Sequence, residues 1–360
     1  MKKQTKLMLN LLLAGLAIAL LVTVDMTTKS TSMLRTVLQM GSIYALVAVS
    51  MNLLNGFTGL FSLGQAGFMA VGAYTFAIIT IPVNAKGGVY YLYGVNDAIK
   101  NIALPVIPAM IIAGMVAALF AFLIGAPVLK LKSDYFAIAT MGFSEIVRML
   151  IASSGLVTIT NGSFGLKKIP GFTSFYSPFI VSAVCIGLIV LIINSSYGRA
   201  FKAIREDEIA AEAMGINLAR TKILAFVISS FFAGIGGALL AQYLGAITST
   251  TFPVKLTYDI LLIVVIGGMG SVTGSIISSF LVIASKEWWL RFLDQEHYIG
   301  SFRVPLLKSG FRMVVFSVVL MVVVLFFRRG IMGNNEFSWD RIAARFAGRK
   351  KTSETEAESK

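Results

Sequence analysis

From Thr36 to Ala85 the chain reads TVLQMGSIYALVAVSMNLLNGFTGLFSLGQAGFMAVGAYTFAIITIPVNA, a run with no Asp, Glu, Lys, Arg or His. As one continuous helix it would be roughly 75 Å long at ~1.5 Å per residue, against ~30 Å of hydrocarbon in a bilayer. One crossing cannot absorb it. The chain has to turn, and Asn55-Gly56-Phe57-Thr58-Gly59 is where glycine relieves the backbone before Leu60 to Ile79 re-enters. That turn carries no charge. Non-helical backbone is tolerated at membrane depth only where protein or a wet cavity covers it. Asn55, Gly56 and Gly59, with Gly64, Gln65 and Gly67 just beyond, are therefore candidate elements of a translocation path.

Composition agrees with this start. Of 360 residues, 57% are hydrophobic and 13% charged, whereas soluble domains carry ~25% charge. At ~20 residues per crossing the apolar material supplies about eight to ten spans. The fold class is all-α, a polytopic transmembrane helical bundle with glycine-broken helices. The spans read as Leu7 to Val24, the two halves of the Thr36 run, Ala103 to Leu129, Tyr135 to Ser153, Tyr176 to Ile193, Ile223 to Gly245, the charge-free stretch Ile260 to Ser285, and Met313 to Phe327. An A-x-A triplet at Ala17 to Ala19 lies inside the first apolar run, so that run reads as an uncleaved helix rather than a secretory signal. Ile260 to Ser285 is interrupted at Gly267, Gly268, Gly270 and Gly274, giving two short halves. Paired broken helices mark substrate sites in many transporters, but glycines also allow close helix packing, and the sequence leaves both open. One membrane domain spans residues 1–328, with a hydrophilic loop over about 196–222; residues 329–360 form a polar tail read as disordered.

The chain has 31 basic and 17 acidic residues, a net charge of +14. No basic run interleaves with aromatics as a nucleic-acid groove requires, and cytoplasmic loops of membrane proteins collect Lys and Arg. With both ends inside, an even number of crossings follows, ten if the second broken stretch counts as two. The single histidine, His297, excludes multi-histidine metal sites, and Cys185 has no intrachain disulfide partner. The dipeptide Gly-Lys never occurs, so a phosphate-binding Walker loop is absent. No catalytic residue or metal ligand is predicted. Ion-driven carriage needs several carboxylates at membrane depth, and only Glu145 qualifies, with Arg148 three residues on the same helix face. That pair reads either as a polar element of the path or as mutual neutralisation.

The hydrophilic loop Gly198 to Asn217 is rich in Ala, Glu, Arg and Lys, helix formers all, with Gly215 as terminator. It is predicted to be a single short amphipathic helix on the cytoplasmic face, where Ile204, Glu208 and Ala211 recur at helical spacing and the small Ala210 and Ala211 permit close approach by another protein.

This loop resembles the coupling segment of ABC importer permeases: Ile209-Ala210-Ala211 and Gly215 hold the E-A-A-x-x-x-G spacing, although Glu208 stands one position early and no Leu-Pro pair follows. In that departure it is similar to the branched-chain amino acid permeases of the LivH/LivM type. The LivM branch is also resembled at Asn55 to Phe68, Gly72-Ala73-Tyr74, Glu145 to Arg148, Asn161-Gly162, Phe231 to Gly234 and Gly267 to Gly270, over roughly Met33 to Phe327. The resemblance implies a permease subunit of the bacterial inner membrane for Leu, Ile and Val that binds no cofactor itself. Its implied partners are a LivH-type permease, LivG- and LivF-type ATPases that hydrolyse ATP, and an extracytoplasmic amino-acid-binding protein. Arg205, Glu206, Asp207 and Glu208 would supply docking charge. Ala210, Ala211 and Met214 would fill a groove on the ATPase, and Gly215 would end the helix. Apart from the resemblance, Gly267, Gly268 and Gly270, with Glu145 and Arg148, are the remaining candidate elements of the path. Urea and short-amide importers share the architecture, and a channel or ion-coupled carrier is the rival from another class.

Overall fold

A computed structural model describes residues 3–28, 32–129 and 133–290, together with 298–299, 302–303, 314–315, 317–318, 321, 330–333 and 336. Most of the predicted last span, residues 313–327, and most of the tail lie outside the described residues, as does His297.

Helix α1 (Lys3–Thr27) contains the first apolar run. Its end is tied to the next helix by the ion pair of Asp25 and Arg35, 2.8 Å apart. Helix α2 (Met33–Asn52) starts where the Ser32 hydroxyl accepts from Arg35 N, and every residue from Gly41 to Asn52 is buried. A helix apolar all round is a bundle's central member. It runs into a π-helical turn at Leu53–Phe57. There the Thr58 hydroxyl donates to Leu53 O and the Asn55 carboxamide oxygen accepts from Ser62 N at 3.1 Å, closing the predicted turn. Helix α3 (Gln65–Thr80) follows, and Pro82 begins the short α4 (Val83–Val89), bent by 118° from α3.

Three more long apolar helices follow: α5 (Val106–Val128), α6 (Ser133–Ala152) and α7 (Ser177–Asn194). The loop beyond α7 forms α8 (Ser196–Glu206) and α9 (Glu208–Ala213). Helix α10 (Leu218–Leu244) is the other central helix. A Cβ on Gly72 of α3 would lie 2.2 Å from Gly234 O, and one on Gly237 would lie 2.0 Å from Met69 O, so only glycine lets α3 and α10 meet at this distance. Phe226 of α10 packs edge-on against Phe68 of α3 and Phe136 of α6.

The second charge-free stretch folds as α11 (Val254–Gly267) and α12 (Val272–Glu287), side by side, with the Ser278 hydroxyl donating to Ile263 O at 2.6 Å. The predicted two halves are present, although α11 begins earlier than the charge-free stretch. Strand pairing among the described residues is confined to Tyr298–Ile299 with Phe302–Arg303 and an isolated bridge between Leu166 and Ile247.

Six helices among the described residues are long and apolar enough to cross a bilayer singly, seven if α3 and α4 count as one bent span. The expected eight to ten also count α1, α12 and residues 313–327. Ile107, Ile111, Met115 and Phe122 of α5, and Ile180, Val184, Leu188 and Leu191 of α7, stand exposed along their helices. Such rows are the lipid face of an integral membrane protein, and the chain is an all-α, multi-pass membrane bundle.

Candidate functional site

The two glycine breaks, about 200 residues apart in sequence, meet in space. Asn52, the last residue of α2, is fully buried. Its Nδ2 donates to Ser271 O at 2.9 Å and Ser275 Oγ at 2.8 Å, and its Oδ1 accepts from Gly270 N at 2.8 Å. One carboxamide thus pairs the Gly270 amide of the loop and ties the end of α2 to the start of α12. A Cβ on Gly56 would lie 1.8 Å from Asn52 Oδ1 and 2.4 Å from Gly270 N, so no side chain fits between the breaks. Gly268 and Gly270 turn the loop at φ of 108° and 88°, a region costly for any other residue. Gly267 touches Gly274, where an added Cβ would meet the Gly274 backbone at 2.5 Å.

The hydrophilic loop closes over this junction. Arg205 Nη1 donates to Gly56 O at 2.9 Å. A Cβ on Gly59 would meet Arg205 Cγ at 3.0 Å, and one on Gly270 would meet Nη1 at 2.9 Å. Lys202 Nζ sits 5.6 Å from the Phe57 ring centroid, within cation–π range. The guanidinium of the loop is therefore wedged between both breaks, with Glu206 as its outer partner.

The expected single amphipathic helix is two helices. Asp207 is extended (φ −159°, ψ 114°), and its carboxylate accepts from Ile209 N and Ala210 N, capping α9. Ile204 and Ala211, seven residues apart, are both buried, so Ala211 turns inward, away from the groove on a partner that the resemblance implied for it. Glu208 is ion-paired with Lys222 at 2.6 Å. Ala210 and Gly215 are exposed, Gly215 at φ 85° with open space around it. Ile209 and Met214, 81% and 83% exposed, are the apolar side chains presented outward; in the sequence Ile209 stands only as part of the coupling-segment spacing, not as a docking contact.

Gly64, Gln65 and Gly67 form the start of α3, next to the first break. Gln65 Nε2 donates to Ser50 Oγ at 2.7 Å. Leu63 N, Ala66 N and Gly67 N donate to the hydroxyls of Thr140, Thr257 and Ser144. Orphan amides of a helix N-terminus are thus satisfied by α6 and α11. These hydroxyl residues, like Asn52, escaped the sequence reading because in a membrane helix a Ser or Thr is an ordinary packing residue. Glu145 and Arg148 pair with each other on α6 and are about one-third exposed. They are not among the groups that close the junction of the breaks.

Comparison with known proteins places this geometry. The family model described as "Branched-chain amino acid transport system / permease component" matches residues 33–327. LivM, the high-affinity branched-chain amino acid transport system permease protein of Escherichia coli (strain K12), is 34% identical over 279 residues, which are 68% of this chain and 61% of that protein. A probable LivM of Methanocaldococcus jannaschii is 25% identical over 79% of this chain and 89% of its own length. LivH of Escherichia coli (strain K12) is 23% identical over 82% of this chain and 93% of its own length. The aligned part of this chain spans about three-fifths of the Escherichia coli LivM. No solved structure matches the chain. With the family match running from the start of α2 almost to the tail, the chain belongs to the permease components of branched-chain amino acid transport systems.

Proposed function

We propose that this chain is the LivM-type permease subunit of an ABC importer for Leu, Ile and Val. It lies in the bacterial inner membrane with both termini cytoplasmic. Residues 1–328 form the permease domain. Its partners are a LivH-type permease, LivG- and LivF-type ATPases and an extracytoplasmic amino-acid-binding protein. The chain supplies no ATPase of its own, in keeping with the absence of any Gly-Lys step, and ATP is hydrolysed by the partners.

The observation that carries this reading is the bond from Arg205 to the Gly56 carbonyl. A cytoplasmic loop that docks a motor must be joined to the parts it moves, and here one side chain joins it to both breaks. Closure of the ATPases displaces α8 and α9, and Arg205 passes the displacement to the Gly56 turn. Asn52 carries it on to the Gly268 to Ser271 loop. The motion biases two states of the bundle, which is what alternating access requires. On this reading Ile209, Ala210 and Met214 face the ATPase, with Glu206 and Asp207 at the rim. The path runs beside Asn55, Gly56, Gly59, Gly64, Gln65, Gly67 and Gly267 to Gly270.

Uptake of radiolabelled leucine and urea, in a strain lacking its own systems and supplied with this chain and its partners, tests the proposal. Leucine uptake that needs the ATPases supports it. Urea uptake in its place would overturn the substrate, and uptake without any ATPase would overturn the coupling.

A further inference from the structure

The second break is also held from a part of the chain beyond the family match, which ends at residue 327. Ile331 N donates to Ile266 O at 2.7 Å and Met332 N to Gly267 O at 3.2 Å. These carbonyls end α11 and have no intrahelical partner. Across the loop, the Glu336 carboxylate accepts from Val272 N at 2.7 Å, Thr273 N at 3.2 Å and Thr273 Oγ1 at 2.9 Å. The Ser271 hydroxyl takes Gly274 N, so the two side chains together cap the first amides of α12. A carboxylate there also meets the positive end of the helix dipole. Gly333 lies so close that a Cβ on Gly268 would stand 2.4 Å from Gly333 O. The polar tail, read from sequence as disordered, therefore begins with residues that pack on the break.

We propose that residues 330–333 and Glu336 are a clasp on the second break and that Glu336 is a positioning residue for transport. It fixes the start of α12, so that the Gly268 to Ser271 loop, touched by Asn52 and Arg205 from the other side, moves against an anchored helix end. The clasp stands on its own contacts; its part in transport rests on the coupling reading above.

The full-length chain, purified with the subunits it retains and held in lipid nanodiscs, is compared with Glu336→Ala and Glu336→Gln by amide hydrogen exchange. Loss of a charge-assisted cap is expected to speed exchange over residues 268–275 by about tenfold in Glu336→Ala. The effect should be smaller in Glu336→Gln, which keeps one acceptor oxygen. Unchanged exchange in Glu336→Ala, or equal acceleration along all of α12, would overturn the clasp. In proteoliposomes with the ATPases, Glu336→Ala is expected to raise the ATP hydrolysed per leucine moved. An unchanged ratio with accelerated exchange would overturn the positioning role. Exchange is read without solute, so a wild-type complex that moved no leucine would count against the transport reading and not against the clasp.

Discussion

Replacing Arg205 by alanine should uncouple ATP hydrolysis from solute movement while leaving the bundle folded. The side chain donates to the Gly56 carbonyl at 2.9 Å and fills the space against Gly59 and Gly270. A hydrogen bond from a charged donor contributes ~1.5–3 kcal/mol. Because the Arg205 side chain is 26% exposed, the lower end applies. About 1.5 kcal/mol is about a tenfold shift in the balance between linked and unlinked states. The assay is leucine uptake and phosphate release measured together in proteoliposomes holding the permease pair and its ATPases. Leucine moved per ATP should fall by about tenfold, with ATPase activity retained. Glu206→Ala is the control. Its carboxylate is 71% exposed, and such surface pairs contribute ~0–1 kcal/mol, so the ratio should barely move. An unchanged ratio in Arg205→Ala, or the same loss in both variants, would refute the view that Arg205 links the loop to the breaks.

Ile209→Asp combined with Met214→Asp changes two side chains more than 80% exposed. The chain should still insert and run as a single species in detergent, but ATPase subunits should no longer co-purify with it. Gly268→Ala places a Cβ at φ 108°, 2.4 Å from Gly333 O. Strain of this kind costs ~1–3 kcal/mol, so the unfolding temperature should drop in a thermal-shift measurement, whereas Gly87→Ala, where an added Cβ meets nothing within 4 Å, should leave it unchanged. Glu145→Ala or Arg148→Ala alone leaves one charge unpaired on a membrane helix. The double variant should be recovered from membranes in higher yield than either single one; equal yields would show that the pair does not serve mutual neutralisation.

The α2 to α3 turn was legible because a charge-free run too long for one crossing has to fold back, and Asn55-Gly56 marks where. Glu145 and Arg148 were legible because i,i+3 spacing alone puts them together. The break at Asp207 was hidden by Ala, Glu, Arg and Lys neighbours that all favour helix, although Asp is a strong N-cap residue. Ala211 is buried with Ile204, seven residues earlier, and Ile209 points outward, which is where one helical face continued past the break also places them. The contacts of Asn52 with Gly270, Ser271 and Ser275 join residues more than two hundred positions apart. No periodicity encodes such a pairing. Glu336 was equally silent, since one carboxylate among several in a polar tail has no local pattern that names its partner.

The claim on which the account turns is that α8 and α9 are the socket of a separate motor. A cysteine introduced at Met214, 83% exposed, can be cross-linked in native membranes while leucine uptake is followed in the same preparation. The account predicts one adduct, with an ATPase subunit, whose yield changes when ATP is added. Full uptake with no adduct to any ATPase subunit would contradict it.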